Sequence, residues 1–418
     1  MNELDKMTKL IKELQEHSSS IDKKNILRQY SDLKELLKLV YDPQINFWIT
    51  GDRVEQDLFT TFIFSNTNSN SILELLNTLS KRIMTGNAAL RECLGFIKLN
   101  LENKDTIIKI LNKDLECGIS IKTINSVFPD LIFNFEDHVP LAKKIEDFKG
   151  DVFDGSFFIS RKLDGIRCLA FLSSNNVKFF SREGKEIFTL NLIKEELYSL
   201  CDPWENLILD GELCIYKDSQ EYFNEITKVF RRKDYTIQNP MFYIFDAYSK
   251  KQWEGKIIGA NYSLYYSNIK TVIEGQNFKY IKVLDQIKLQ NEKQLQIPFG
   301  WEGFILRKDV PTEFKRSNNL LKVKDFKEEE FKILGIKYGD MMIEGRKQNI
   351  CSSLSIEYKG YLVDVGSGLS QEQRLAWIDN PNLIVGKVAT IKYFSESIDK
   401  NGNLSLRFPI FKGIREKE

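Results

Sequence analysis

The sequence predicts a multidomain α+β protein with an all-α segment over residues 1–130, an α+β domain over 131–325 and a small β-barrel over 326–418. Three observations predict it. Apolar residues recur at helical spacing up to about residue 130, short β-type runs alternate with helical ones from Ser156 to about Lys324, and strand-like runs dominate the tail. A length of 418 residues is enough for two or three domains, and 42% hydrophobic with 28% charged residues excludes a disordered, collagen-like or disulfide-framework chain.

In the first segment Leu10, Ile11 and Leu14 share one helical face, as do Leu33, Leu36, Leu37 and Val40. The polar run Ser65-Asn66-Thr67-Asn68-Ser69-Asn70-Ser71 predicts a loop that ends in an N-cap. A helix over 72–83 follows, and Thr85-Gly86-Asn87 opens another. This segment carries 17 Lys+Arg against 18 Asp+Glu, so any nucleic-acid face on it is a local patch.

In the middle, Phe157-Phe158-Ile159, Cys168 to Leu172 and Val177 to Phe180 read as strands, with Ser173-Ser174-Asn175-Asn176 as a hairpin turn. Leu192, Ile193, Leu197 and Leu200 fit a helix; Leu207-Ile208-Leu209 and Met241 to Phe245 are strands again. The tail reads as strands over 331–336, 354–365, 388–394 and 404–414, with one helix over 371–378. That order and length fit a Greek-key barrel of the OB type.

The scarcest residues restrict the chemistry most. The two histidines, His17 and His138, have no Cys or carboxylate at metal-ligand spacing, which argues against a zinc site or a histidine triad. The six cysteines are scattered without a C-x-x-C pair and mostly lie in apolar runs, as expected of reduced, buried thiols. No stretch approaches the roughly 18 apolar residues of a membrane span, and Met1-Asn2-Glu3-Leu4-Asp5-Lys6 lacks the features of a signal peptide. The expectation is a soluble, cytoplasmic protein with no membrane partner. Its chemistry must run on Lys, Arg, Asp and Glu, which points to phosphate chemistry with a hard metal.

Lys162-Leu163-Asp164-Gly165-Ile166-Arg167 stands at the mouth of the first strand of the middle domain. A lysine nucleophile must be neutral, yet a free ammonium titrates at about 10.4, a deficit of roughly 4 kcal/mol at neutral pH. Burial beside cations or a metal is the usual remedy. In order along the chain follow Ser181-Arg182-Glu183-Gly184, Leu209-Asp210-Gly211-Glu212-Leu213 at the end of a strand, and Phe242-Tyr243-Ile244-Phe245-Asp246, an aromatic run stopped by an acid. Trp301-Glu302-Gly303-Phe304-Ile305 and Leu321-Lys322-Val323-Lys324 complete the series, the latter placing both lysines on one strand face. Glu212 and Glu302, each beside a glycine, suit Mg²⁺ held by one or two carboxylates plus substrate phosphates. Taken singly, these are also what solvated strand ends and a half-buried strand would show; the joint order is what chance does not produce.

In that order the segments resemble the motifs of the covalent nucleotidyltransferases, and among them the ATP-dependent DNA ligases of phages and small viruses. Leu406 to Arg415 resembles the last family motif, and Thr85-Gly86-Asn87-Ala88-Ala89 with Asp114 to Gly118 resembles the helical DNA-binding domain of phage ligases. The resemblance implies an enzyme that seals 3′-OH/5′-phosphate nicks in duplex DNA, during replication and repair, through lysyl-AMP and adenylated-DNA intermediates. It implies ATP and Mg²⁺, and a monomer that encircles nicked double-stranded DNA. Lys162 would carry AMP, Arg167 and Arg182 would hold the ribose and the nick 5′-phosphate, Glu212 would contact the ribose, and Phe245 would stack on adenine. Glu302, with Glu212, would organise the metal; Lys322 and Lys324 would hold the α-phosphate; Arg407 and Arg415 would orient the pyrophosphate.

Two departures stand out. Ser160 replaces the acidic residue with which many relatives read adenine, so backbone groups are expected to share base choice. The last motif ends Arg415-Glu416-Lys417-Glu418, which leaves Lys417 in place of the family's basic ending. The rival readings are an RNA-end ligase, an mRNA-capping guanylyltransferase and a non-catalytic DNA-binding relative. The helical first segment favours DNA, and the full set of charged motif residues favours catalysis.

Overall fold

The computed structural model describes residues 2–58, 66–174, 176–202, 204–217, 220–221, 223–298, 301–324, 326–343, 346–399 and 402–415. By packing, the chain divides into Asn134–Asp325 on one hand and the flanking segments Met1–Phe133 and Phe326–Glu418 on the other. The flanking segments have separate apolar cores.

The regular elements among the first segment's described residues are helices, running from Glu3–Gln15 to Ile121–Val127. Its first helix opens on a reciprocal Asn2/Asp5 cap and buries Leu4, Met7, Leu10, Ile11 and Leu14, one face at 3.6-residue spacing. Ser71 caps helix Ile72–Ser80 by accepting from the Glu74 amide, as the polar run predicts; Ser65 of that run lies outside the described residues. The helix stops before the expected Ile83 because Arg82 turns left-handed (φ 56°), with Arg82 and Ile83 amides bonded back to Leu79 and Thr78. The Arg82 guanidinium then lies 4.4 Å over the Trp48 ring. Inside helix Gly86–Leu99, Glu92 is buried and accepts from the Thr67 and Ser69 hydroxyls and the Asn68 and Ser69 amides. Those bonds hold its carboxyl below the usual range although burial pushes it up.

The middle unit contains two sheets. Its strands are β1 (Leu141–Lys144), β2 (Phe157–Arg161), β3 (Ile166–Ser173), β4 (Asn176–Ser181), β5 (Leu207–Lys217), β6 (Gln220–Glu221), β7 (Pro240–Ser249), β8 (Ile281–Val283), β9 (Gln286–Lys288), β10 (Phe304–Lys308) and β11 (Arg316–Val323). One sheet has the order β1-β11-β10-β2-β9 and the other β4-β3-β5-β7-β8, with β6 paired to β5. Helix Tyr262–Glu274 packs on β7 and β8.

Two expected strand ends are not ends. β5 runs through Asp210-Gly211-Glu212, absorbing an irregularity in its pairing between Asp210 and Gly211. β7 continues past Asp246 to Ser249, because the buried carboxylate is paired with Arg307 and so does not need solvent. Glu212 therefore projects from mid-strand.

In the C-terminal segment β12 (Lys327–Ile343), β13 (Arg346–Tyr358), β14 (Tyr361–Val365), β15 (Val388–Tyr393) and β18 (Ile410–Ile414) form a sheet of order β14-β13-β12-β15-β18, and β16 (Ser395–Ile398) pairs with β17 (Leu404–Arg407). Helix Gln371–Asp379 stands where the sequence predicts one. The run 354–365 is two strands, broken at left-handed Lys359 and Gly360, and 404–414 breaks at left-handed Phe408. Among the described residues the sheet does not close into the expected barrel; near its two ends lies an isolated bridge, Ser367 to Ile410. Arg374 of helix Gln371–Asp379 donates to the carbonyls of Cys351, Ser352 and Gly366. No helix among the described residues is long and apolar enough to cross a membrane.

Candidate active site

The site is built from the ends and faces of the two middle sheets. Lys162 follows directly on β2, and its amide donates to the Gly303 carbonyl at 2.8 Å. Gly303 (φ 139°) passes so close to β11 that a β-carbon there would sit 2.0 Å from the Val323 carbonyl oxygen. Only glycine fits, and this close approach sets Glu302 between two lysines. Lys162 Nζ lies 2.5 Å from Glu302 Oε2 and Lys324 Nζ lies 2.5 Å from Glu302 Oε1. Glu302 is 8% exposed. Burial alone would raise its carboxyl; Lys162 and Lys324 overcome that and hold it below the usual range.

Around Lys162 lies a cavity of about 240 Å³ whose lining includes Ser160, Arg167, Arg182, Glu212, Phe245 and Lys322. Ser160, Ile305 and Lys322 share one row across β2, β10 and β11, so their side chains point the same way. Burial lowers the Lys322 ammonium, and the neighbouring cations Lys324, Arg316, Lys162 and Lys144 lower it further. That concentration of positive charge around an open cavity is suited to a polyanion.

Arg167 is held more tightly than its motif suggested. Its Nε and Nη2 donate to the two oxygens of Asp210 at 2.6 and 2.5 Å, and Nη1 donates to the Pro140 carbonyl at 3.1 Å. Asp210, wholly buried, also accepts from the Tyr248 hydroxyl at 3.0 Å. The guanidinium is thereby fixed 5.0 Å from the centre of the Phe245 ring. Arg182 is half exposed and pairs with Glu136 at 3.4 Å.

Glu212 is pushed up to about 7, chiefly by burial; Lys162 and Arg167 pull it down, and Glu302 and Asp210 add to the rise. A folded-state value above the ordinary 4.5 means Glu212 contributes stability in full at low pH and loses it as pH rises through about 7. Glu212→Gln lacks that loss. The melting temperature of the variant minus that of wild type, without ATP, should therefore grow between about pH 5 and about pH 8. A pH-independent difference would refute the burial effect.

Of the residues expected from the sequence, Ser160, Lys162, Arg167, Arg182, Glu212, Phe245 and Lys322 line the cavity, and Glu302 and Lys324 join it through the lysine–carboxylate chain. Arg407 and Arg415 belong to the C-terminal segment. Arg407 lies over the Phe394 and Phe408 rings, and Arg415 pairs with Glu330. Lys417 lies outside the described residues. Sequence reasoning gave no role to Asp210, Arg307 or Arg316. Asp210 stands inside a quoted motif and Arg307 two residues beyond one, but nothing in one-dimensional spacing says which acid meets which arginine.

A lysine anchored to a buried carboxylate, inside a cation-lined cavity between two sheets of this topology, defines a nucleotidyltransferase. Comparison with known proteins narrows the class. The family model described as ATP-dependent DNA ligase domain matches residues 140–324, and the DNA ligase OB-like domain matches 344–415. The DNA ligases of Enterobacteria phages T6 and T4 are each 24% identical to this sequence, over 98% of this chain and 95% of theirs. The solved structure Pmar-Lig_Pre. is 25% identical and superposes with a TM-score of 0.70 over 99% of both chains. The chain belongs to the ATP-dependent DNA ligases.

Proposed function

We propose that this ligase seals 3′-OH/5′-phosphate nicks in double-stranded DNA by three displacements that begin at Lys162. The lysine–carboxylate–lysine chain Lys162–Glu302–Lys324 is the observation that carries the reading, because it aims one amine into the cationic cavity. In the first step Lys162 Nζ attacks the α-phosphorus of ATP; the N–P bond forms and the P–O bond to pyrophosphate breaks. An oxygen of the nick 5′-phosphate next attacks the AMP phosphorus, and the N–P bond breaks to return the lysine. Finally the 3′-hydroxyl attacks the activated 5′-phosphate and AMP leaves. Each step builds negative charge on phosphate oxygens, which cations held in place stabilise without a histidine.

Lys322 and Lys324 then serve the α-phosphate, Arg167 and Arg182 the ribose and the 5′-phosphate, and Phe245 the adenine face. Ser160 borders the base, and Glu212 contacts the ribose. Arg407 and Arg415 are assigned to the pyrophosphate during adenylation only, with the C-terminal domain moving between steps. The domain division proposed is 1–130 for DNA binding, 131–325 for adenylation and 326–418 for the OB-type domain, the whole acting as a monomer around nicked duplex DNA.

Mg²⁺ fits the carboxylates present. No cluster of three or more His, Cys, Asp or Glu side chains suited to a metal occurs among the described residues. Glu212 nevertheless lines the cavity, and Glu302 meets Lys162 of the same lining; Mg²⁺ is commonly held by one or two carboxylates plus substrate phosphates. Bound there, it would supply charge neutralisation at phosphate oxygens. The phage relatives support a phage-type enzyme acting in host cytoplasm.

The test uses the purified chain with a divalent ion, a nicked duplex and either ATP or GTP. ATP should add the mass of one AMP and give a sealed strand, and GTP should do neither. A GMP adduct would replace this reading with capping chemistry, and sealing confined to RNA ends would replace it with RNA ligation.

A further inference from the structure

Asp210 and Asp246 stand opposite each other in the β5–β7 pairing, and both are buried, at 0% and 1% exposure. Facing carboxylates destabilise a sheet unless each finds a cation. Asp210 has Arg167. Asp246 has Arg307, whose Nη1 donates to Oδ2 at 2.7 Å, and the Thr312 hydroxyl donates to the same oxygen at 3.1 Å. Arg307 comes from β10, in the other sheet, so this pair ties the two sheets together beside the cavity that Arg307 helps to line.

Both guanidinium groups converge on one ring. Arg167 lies 5.0 Å and Arg307 5.6 Å from the centroid of Phe245. The backbone of Phe245 is held as well: its carbonyl accepts from the Tyr262 hydroxyl at 2.8 Å and from Gln286 Nε2 at 3.1 Å. Tyr262 in turn has Arg307 4.7 Å over its ring. Arg307 thus touches both Phe245 and one of the two groups that hold its carbonyl.

We infer that Arg307 is a positioning residue for ATP: anchored on Asp246, it holds the Phe245 ring in the orientation that stacks on the base. The inference rests on the proposed stacking role of Phe245. It places Arg307 beside the base platform, in the cavity wall it helps to line, and assigns it no bond-making step.

The experiment measures covalent adenylation of the full-length enzyme, with KM for ATP and kcat determined separately. Phe245→Ala, Arg307→Lys and the double variant are compared with wild type. Arg307→Lys keeps a cation for Asp246 but loses the planar face that lies on the ring. Phe245→Ala and Arg307→Lys should each raise the KM for ATP roughly tenfold, with kcat within roughly threefold of wild type. The double variant should be no worse than Phe245→Ala, because Arg307 works through the ring. Should Arg307→Lys fail to fold, Arg307→Met combined with Asp246→Asn removes both buried charges together, and the same KM rise is expected.

A KM unchanged in the folded Arg307 variants, or effects that multiply in the double variant, would overturn the inference. Were Phe245→Ala to leave the KM for ATP at its wild-type value, the stacking role itself would fall. A KM raised by Phe245→Ala but not by Arg307→Lys would sink the Arg307 inference alone.

Discussion

Lys162→Ala is expected to abolish both the AMP adduct and strand sealing from ATP, while nicked DNA is still bound. The lysine is the one amine bonded both through its backbone to Gly303 and through its side chain to Glu302, so no neighbour inherits its position. The physical rival is Lys322, which lines the same cavity and whose ammonium is lowered by burial and by the cations around it. A depressed pKa makes an amine easier to deprotonate, and on that ground alone Lys322 is the better nucleophile. The geometry favours Lys162: Lys322 sits in the row with Ser160 and Ile305 on the sheet face, whereas Glu302 orients Lys162. Lys322→Ala should therefore slow adenylation yet leave the adduct on Lys162, as peptide mass mapping would report. An adduct that survives Lys162→Ala and disappears in Lys322→Ala would reverse the assignment.

The largest effect on stability is expected from Asp210→Ala. Arg167 is only 17% exposed at its side chain and Asp210 not at all. Removing the carboxylate leaves a largely buried guanidinium with the Pro140 carbonyl as its remaining acceptor among the described residues. Breaking such a pair by deleting one partner costs about 3–5 kcal/mol, or a fall in melting temperature on the order of 10 °C for a unit of this size. The Tyr248 hydroxyl loses its acceptor too. Replacing both partners, Asp210→Leu with Arg167→Met, should recover much of the stability because no buried charge is left alone. Adenylation and sealing should stay low in that double variant. Recovery of activity together with stability would mean that Arg167 serves the fold alone.

Much of the secondary structure was legible because it depends on local periodicity. The first helix, the Ser71 cap, β2 to β4 and helix Gln371–Asp379 all lie where apolar spacing and capping residues put them. The misreadings have separate causes. Charged residues in 209–213 and at Asp246 looked like strand ends because a charge is usually solvated, whereas here Asp246 is paired with Arg307 in the interior. The two tail runs looked continuous because nothing in their composition announced that Lys359 and Phe408 would turn left-handed. The barrel was inferred from the order and length of the tail's elements, but closure depends on whether the outer strands meet, and among the described residues an isolated bridge, Ser367 to Ile410, lies near their ends.

The residue types and their order along the chain determined the class of chemistry: one lysine before an Asp-Gly turn, two carboxylates beside glycines, paired lysines in a strand and almost no histidine. Tertiary structure alone decided which of these groups touch. Glu302 meets Lys162 across 140 residues of chain, and Arg307 meets Asp246 across 61. Such pairs follow from strand register and from the packing of one sheet on another. A local pattern carries the identity of each partner but not the distance between them.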